Sequence, residues 1–459
     1  MSTPLSTAPR PRERWLLASA VFLPFLLFFL LKVGGFMSYV KLGAAGLAAL
    51  GVVATLLVKP RWGLWLVVIW VYGGFSFYVN AGGAITMLVF AGVLIDLLRG
   101  SRNRLVDVPF WLSAGTFLLI CVTTMLWAKS WQFALYEIGM YLKMLLLVYL
   151  IVQLVRTPQQ LRMLMYAVFA GALACVIAGV LNLVLGIQTV GENYVHTSEY
   201  MMRFVATHEN PNRLAAILCS SIPLGVFAVK QSRGWVKPFV ILALFIVIAA
   251  LFAANSRSSV FPLGIITIAI LAREVRSRRS YLLIAAVAAV ALFVAPSVWY
   301  ERVIGLNAAF ETTTLDWSVY MRLMALHTAW SLFLHHPFTG IGIGNFIVTA
   351  GYAMPIHIVV HNSYLEILVG TGVFGLLCFL VIMVSGLRHL VAGVREQWRS
   401  APDWMRTACF YCLLSGISVW ISAGFATIFQ RQLFWVPIAF GLVIGNLLQE
   451  DRARSTTPS

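Results

Sequence analysis

The sequence predicts an all-α, polytopic membrane protein with twelve to fourteen membrane-spanning helices and a large one-sided loop that contains short helices. Three observations carry that expectation. Of 459 residues, 61% are hydrophobic and 11% are charged, whereas soluble domains are about half apolar and about a quarter charged. The apolar residues fall in blocks of roughly twenty, enough to cross ~30 Å of hydrocarbon as helix. Basic residues gather in alternate connections between the blocks, as they do in cytoplasmic loops.

Fourteen apolar blocks lie at about 15–34, 38–58, 62–79, 83–98, 108–127, 135–154, 160–186, 211–229, 236–254, 258–272, 280–297, 363–387, 405–424 and 432–448. The first follows the basic stretch APRPRERW and lacks a small-residue cleavage site, so it is expected as a retained helix. With the N-terminus placed in the cytoplasm, the inside connections are KPRW, RGSRNR, VRTPQQLR, VKQSRGWVK, REVRSRR, LRHLVAGVREQWR and the tail EDRAR, all of them basic. The outside connections, from VGGFMS to ATIFQRQ, are far less so. Both termini are therefore expected in the cytoplasm, and the positive-inside pattern accounts for most of the net charge of +17. No nucleic-acid partner is expected from that charge; membrane lipids are.

This divides the chain into a bundle at 1–297 that carries an outside loop at 187–210, a large outside loop at 298–362, the last membrane helices at 363–448, and a tail at 449–459 expected to be disordered at RARSTTPS. Within the large loop, MRLMALHTAWSLFLHH has helical periodicity and is expected to lie at or near the membrane surface. The six cysteines all sit in apolar segments. Cys409 and Cys412 form a C-x-x-C with no second ligand pair, which reads as packed thiols.

Arginines on the outside run against the positive-inside bias and need another reason. Arg203 stands in MMRFVATHENPN, Arg257 in the short turn NSRSS between two apolar blocks, Arg302 and Arg322 in the large loop, and Arg431 in the last outside turn. A guanidinium near a helix end costs about 1–3 kcal/mol unless it reaches water or an anion, and its fork matches phosphate oxygens two at a time. In VVHNSYLEILVGTGVFGLL, Asn362 or Ser363 is expected to cap a helix with Glu366 as the carboxylate of a capping box, and Gly370, Gly372 and Gly375 to pack against neighbouring helices. His361 is not needed for the cap and titrates near neutrality, so it is the candidate proton acceptor. The glycines of HHPFTGIGIGNF do not follow a strand and open a helix as a dinucleotide fingerprint must, and are expected to form a tight turn leading toward His361.

The spacing H-N-x9-G-x-x-G (His361, Asn362, Gly372, Gly375), HPFTGIGIGNF, R-x3-L (Arg322, Leu326), RFVATHENPNRLA and the NSRSS turn together resemble the bacterial O-antigen ligase family, within a superfamily that includes O-antigen polymerases and protein O-oligosaccharyltransferases. The resemblance implies a GT-C-like membrane fold in the bacterial inner membrane with its active site facing the periplasm. It also implies an inverting glycosyltransferase that needs no metal or other cofactor. The donor would be a polysaccharide on undecaprenyl pyrophosphate and the acceptor a sugar hydroxyl of lipid A–core. His361 would then be the base, Arg203, Arg257 and Arg322 the pyrophosphate clamp, and Asn210, Asn362 and Glu366 supporting residues, with His208 and Glu209 beside Asn210 orienting the 187–210 loop. A transporter or flippase of lipid-linked sugars is the alternative of another class; it predicts internal repeats and ionisable groups near mid-bilayer, and neither is evident in the sequence.

Overall fold

The computed structural model describes residues 59–75, 82–100, 107–185, 194–196, 202–204, 206–208, 210–274, 317–351, 359–399 and 401–456. The predicted blocks at 15–34, 38–58 and 280–297 lie outside the described residues, as does Arg302. Among the described residues thirteen α-helices run in order: α1 (Pro60–Tyr72), α2 (Gly82–Leu98), α3 (Val108–Thr123), α4 (Trp131–Leu154), α5 (Pro158–Val184), α6 (Pro211–Gln231), α7 (Val236–Ala253), α8 (Val260–Glu274), α9 (Trp317–His335), α10 (Phe346–Ala350), α11 (Ser363–Arg395), α12 (Met405–Ala423) and α13 (Gln432–Thr456). Eight of these are long and apolar enough to cross a membrane, which makes the chain an all-α polytopic membrane protein. One element was not expected. Within 187–210, β1 (Tyr194–His196) and β2 (Met202–Phe204) pair as a short antiparallel ribbon, with Val195 opposite Arg203.

Several helix starts follow directly from local sequence. Asp107, Thr157 and Asn210 each accept an N–H of the first turn, and each is followed by a proline within the first two helical positions. The core lies where α4, α11 and α13 meet. There Tyr141 stacks on Phe429 with ring centroids 5.5 Å apart, and Phe379 stacks on Phe434 at 5.3 Å. On α11 and α13 small residues let the backbones touch: a Cβ on Gly441 would lie 2.1 Å from the carbonyl oxygen of Gly386. On the periphery, α7 exposes Phe239, Leu242 and Phe245, an apolar flank that suits lipid and not water.

The hydrogen bonds sort the helix ends into two groups. At one end Asp107 takes Arg388 at 2.8 Å and His389 at 2.7 Å, and Asp451 takes the amide of Arg399 at 3.0 Å. At the other end lie the starts of α4, α6, α11 and α13. The expected disorder of the tail is corrected in part. Helix α13 continues through Thr456, because Asp451 is fixed to Arg399 and Arg452 pairs with Glu396 at 2.6 Å, so the last turns have partners beyond the membrane segment. All six cysteines are free thiols and five are buried, Cys409 and Cys412 among them.

Candidate active site

Helix α11 is broken. Gly372 takes φ +70° and ψ −174°, so Ser363–Arg395 is two helices joined at a kink. The GIGIGN segment fills the break. Val369 O, which a straight helix would pair with Val373 N–H, accepts from Ile341 N–H at 2.9 Å, and Gly370 O accepts from Gly342 N–H at 3.1 Å. Val373 N–H in turn donates to Pro337 O at 2.9 Å. The approach is so close that a Cβ on Gly340 would sit 2.5 Å from the Gly370 carbonyl, and one on Gly372 would sit 2.2 Å from Phe338 O. The expectation that Gly370 and Gly372 pack against neighbouring helices is therefore corrected: they face the 337–343 loop, and non-helical backbone within an apolar bundle is tolerated because protein encloses and satisfies it. Gly375 contacts Thr371 of its own helix.

The same loop is tied down on its far side. Asn345 is fully buried; its Oδ1 accepts from Ser130 N–H at 2.7 Å, while its Nδ2 donates to Ser130 O at 3.1 Å and Ile343 O at 3.0 Å. Ile343 N–H donates to Thr124 Oγ1 and Trp127 Nε1–H to Gly340 O, both at 3.1 Å. The turn expected from the glycines is present, and its role extends to joining the start of α4 to the break in α11.

His361 precedes the Asn362 cap of α11 and has φ +56°, the left-handed region that histidine enters more readily than bulky residues. Burial first, and then the Arg322 guanidinium of α9, push its pKa down to about 4. The ring is neutral at pH 7 and able to take a proton. Arg322 is thus brought to His361, on a helix whose Met321, Ala325 and Ala329 pack against Ile341, Phe346 and Val360. That packing holds one face of α9 against the GIGIGN segment and the start of α11, while Leu323, Trp330 and Leu334 stay exposed.

Asn362 caps α11, accepting from Tyr364 N–H at 3.0 Å and Leu365 N–H at 3.1 Å. The capping-box role of Glu366 is corrected. Glu366 is the fourth residue of the helix, one too far for the box, and it accepts the Thr427 hydroxyl. Ser363 also turns to this connection, donating to Ala426 O at 2.7 Å and accepting from Ile428 N–H at 3.0 Å. Glu137 of α4 holds the same connection by accepting from Gln430 Nε2.

Asn210 caps α6, accepting from Asn212 N–H at 2.8 Å and Arg213 N–H at 3.4 Å. The residues that dock the preceding segment are its neighbours: Thr207 donates to Gly73 O at 2.6 Å, and His208 is 3.4 Å from Tyr72 O. Burial, then Arg213, drive the His208 pKa down to about 3. Ser256, beside Arg257, donates to Asn212 Oδ1 at 2.8 Å, so the NSRSS turn is sewn onto the start of α6. The side chains of Arg203 and Arg257, and all of Glu209, lie outside the described residues; their backbone neighbours place both arginines beside the start of α6 or the ribbon leading to it.

The sequence reading passed over Glu137, Gln430, Thr427 and Asn345. A signal for the first was present: a carboxylate inside the block at 135–154 is a functional-site candidate by default.

No curated protein matches the chain. A family model does: residues 242–380 match the one described as O-antigen ligase. The matched stretch contains the Arg257 turn, Arg322, the GIGIGN loop, His361 and the break at Gly372, and over it the chain is similar to that family.

Proposed function

We propose that the protein is an O-antigen ligase, an inverting glycosyltransferase that moves polysaccharide from undecaprenyl pyrophosphate to a sugar hydroxyl of lipid A–core on the periplasmic side of the bacterial inner membrane. The observation that carries the reading is the neutral, half-buried His361 beside Arg322, inside the segment that matches the family. The distribution of charge supports the orientation. The Asp107 end of the bundle carries Arg156, Arg233, Lys237, Arg273, Arg395, Arg399 and Arg406 in or beside its connections, and cytoplasmic loops collect such residues.

In this mechanism the acceptor hydroxyl gives its proton to the His361 imidazole as its oxygen attacks the anomeric carbon of the donor. The bond from that carbon to the diphosphate oxygen breaks, a glycosidic bond forms with inversion, and the lipid diphosphate leaves with the electron pair. A positioned base of this kind is worth about 10²–10⁴ in rate. Arg203, Arg257 and Arg322 meet the charge that develops on the leaving diphosphate, as preorganised donors do. The donor is already activated, so the step needs no nucleotide.

An O-antigen polymerase would use the same donor chemistry, and a protein O-oligosaccharyltransferase would use a hydroxyl side chain as acceptor. Purified protein is therefore reconstituted with undecaprenyl-linked glycan and one of three acceptors: rough lipopolysaccharide, a second donor molecule, or a serine-containing peptide. Glycan appearing on the lipopolysaccharide supports the ligase. Transfer to either other acceptor alone replaces it with that activity, and movement of intact donor across the bilayer without transfer replaces it with transport.

A further inference from the structure

The connection between α12 and α13 is short, yet three side chains from other helices hold it. Ser363 of α11 bonds both sides of Thr427, Glu366 takes the Thr427 hydroxyl, and Glu137 of α4 takes Gln430. Its backbone is further fixed by Arg431 N–H to Ile428 O and Phe434 N–H to Arg431 O, both 3.0 Å, and Gln432 Nε2 reaches Val71 O at 2.8 Å. Two carboxylates, Glu137 buried and Glu366 half-buried, are an expensive way to shape a loop unless the shape has a use. The residue so presented is Arg431. It is half-buried, and among the described residues its guanidinium makes no ion pair or hydrogen bond. Its charge acts on both Glu137 and His208, which places it between the start of α4 and the segment that leads into α6.

A second observation points the same way. Glu137 is 8% exposed, and its Oε2 is buried with no partner. That oxygen accepts, so it calls for a donor such as a substrate hydroxyl, whereas the unpaired guanidinium of Arg431 calls for an anion.

We propose that Arg431 is a further substrate-binding cation, held toward phosphate oxygens by Glu137, Glu366 and Ser363 acting as positioning residues. The inference rests on the glycosyltransferase reading and adds to it a binding group from the last connection, outside the segment that matches the family. The ligand chemistry is a lipid-borne phosphate, and it has two sources in the reaction: the diphosphate of the donor and a phosphate on the acceptor lipid.

The full chain in detergent micelles is titrated with undecaprenyl diphosphate and, separately, with a phosphorylated lipid A, for the wild type, Arg431→Gln, Arg431→Lys, Glu137→Gln and the Glu137→Gln/Arg431→Gln double variant. Thermal midpoints are measured in parallel. Arg431→Gln is expected to weaken one of the two ligands by about 10- to 100-fold, the worth of a charged hydrogen bond, with its midpoint held. The ligand that weakens identifies the source, and Arg431→Lys recovers part of the loss. Unchanged affinity for both ligands in Arg431→Gln, with the wild type binding, overturns the inference and leaves the proposed function standing. A midpoint that falls in each single variant and returns in the double variant, without a change in affinity, makes Arg431 only the counter-ion of Glu137 and also overturns it. A wild type that binds neither ligand removes the proposed function and this inference together.

Discussion

Substituting Gly372 by alanine tests whether the break in α11 builds the site. At φ +70° and ψ −174°, a region almost confined to glycine, an L-residue costs about 1–3 kcal/mol. The new Cβ would stand 2.2 Å from Phe338 O, so the 337–343 loop has to retreat by more than an ångström, an overpacking worth about 1–3 kcal/mol. The alternative response is for α11 to straighten. That gives up the bonds from Ile341 and Gly342 to Val369 and Gly370 and from Val373 to Pro337, at about 0.5–1.5 kcal/mol each. The first response costs about 2–6 kcal/mol and the second about 1.5–4.5 kcal/mol, and both disturb the helix start on which His361 rests. The assay is the thermal midpoint in detergent together with the reconstituted transfer rate. Gly372→Ala is expected to lower the midpoint by several degrees and to lose most transfer. Gly264→Ala serves as the control, because that glycine is helical and a Cβ there meets nothing within 4 Å; it should be neutral or slightly stabilising. A Gly372→Ala protein indistinguishable from wild type in both measurements refutes the reasoning.

His361→Ala should cut transfer by about 10²–10⁴-fold with little change in midpoint, and near-normal transfer would remove it as the base. Because its pKa is held at about 4, below the ordinary 6.5, the acid limb of the wild-type pH–rate profile should fall near 4. The sign for stability follows: below 6.5 the unfolded chain takes the proton before the folded ring does, so this residue weakens the fold as pH drops from 6.5 toward 4. Arg257→Lys should lose transfer nearly as fully as Arg257→Ala, since a point charge does not replace the fork; steady-state kinetics on both variants checks this. At the other end of the bundle, hydrogen bonds from His389 and Arg388 outweigh the upward push of burial and hold Asp107 below 3.8. Asp107→Asn should therefore cost about 1–3 kcal/mol at neutral pH. The wild type should lose the same contribution as pH falls below 3.8, which a pH series of unfolding midpoints would follow.

The membrane fold was legible because hydropathy and loop charge are dense, local signals. So was the cap of α11, expected at Asn362 or Ser363 and found at Asn362. His361 and Arg322 could be nominated from the sequence because they stand out against apolar surroundings. What it did not disclose depends on contacts between distant segments. Glu366 has the look of a capping carboxylate until Thr427, 61 residues away, is brought to it. Gly370 and Gly372 look like packing glycines until the 337–343 loop arrives at the Gly370 carbonyl and against the Cα of Gly372. Asn345 looks like an ordinary turn residue, and its two bonds to Ser130 span 215 positions. Even the short ribbon at 194–204 carries no alternation strong enough to announce it.

The plug at Gly372 also bears on how the chain is made. Every group that seals the break, from Thr124 and Ser130 to Pro337, Ile341 and Gly342, lies earlier in the sequence than Gly372 itself. A ribosome has therefore already delivered the stopper when the discontinuous helix emerges into the bilayer. Its freed carbonyls need not wait, exposed to lipid, for a partner still to be synthesised.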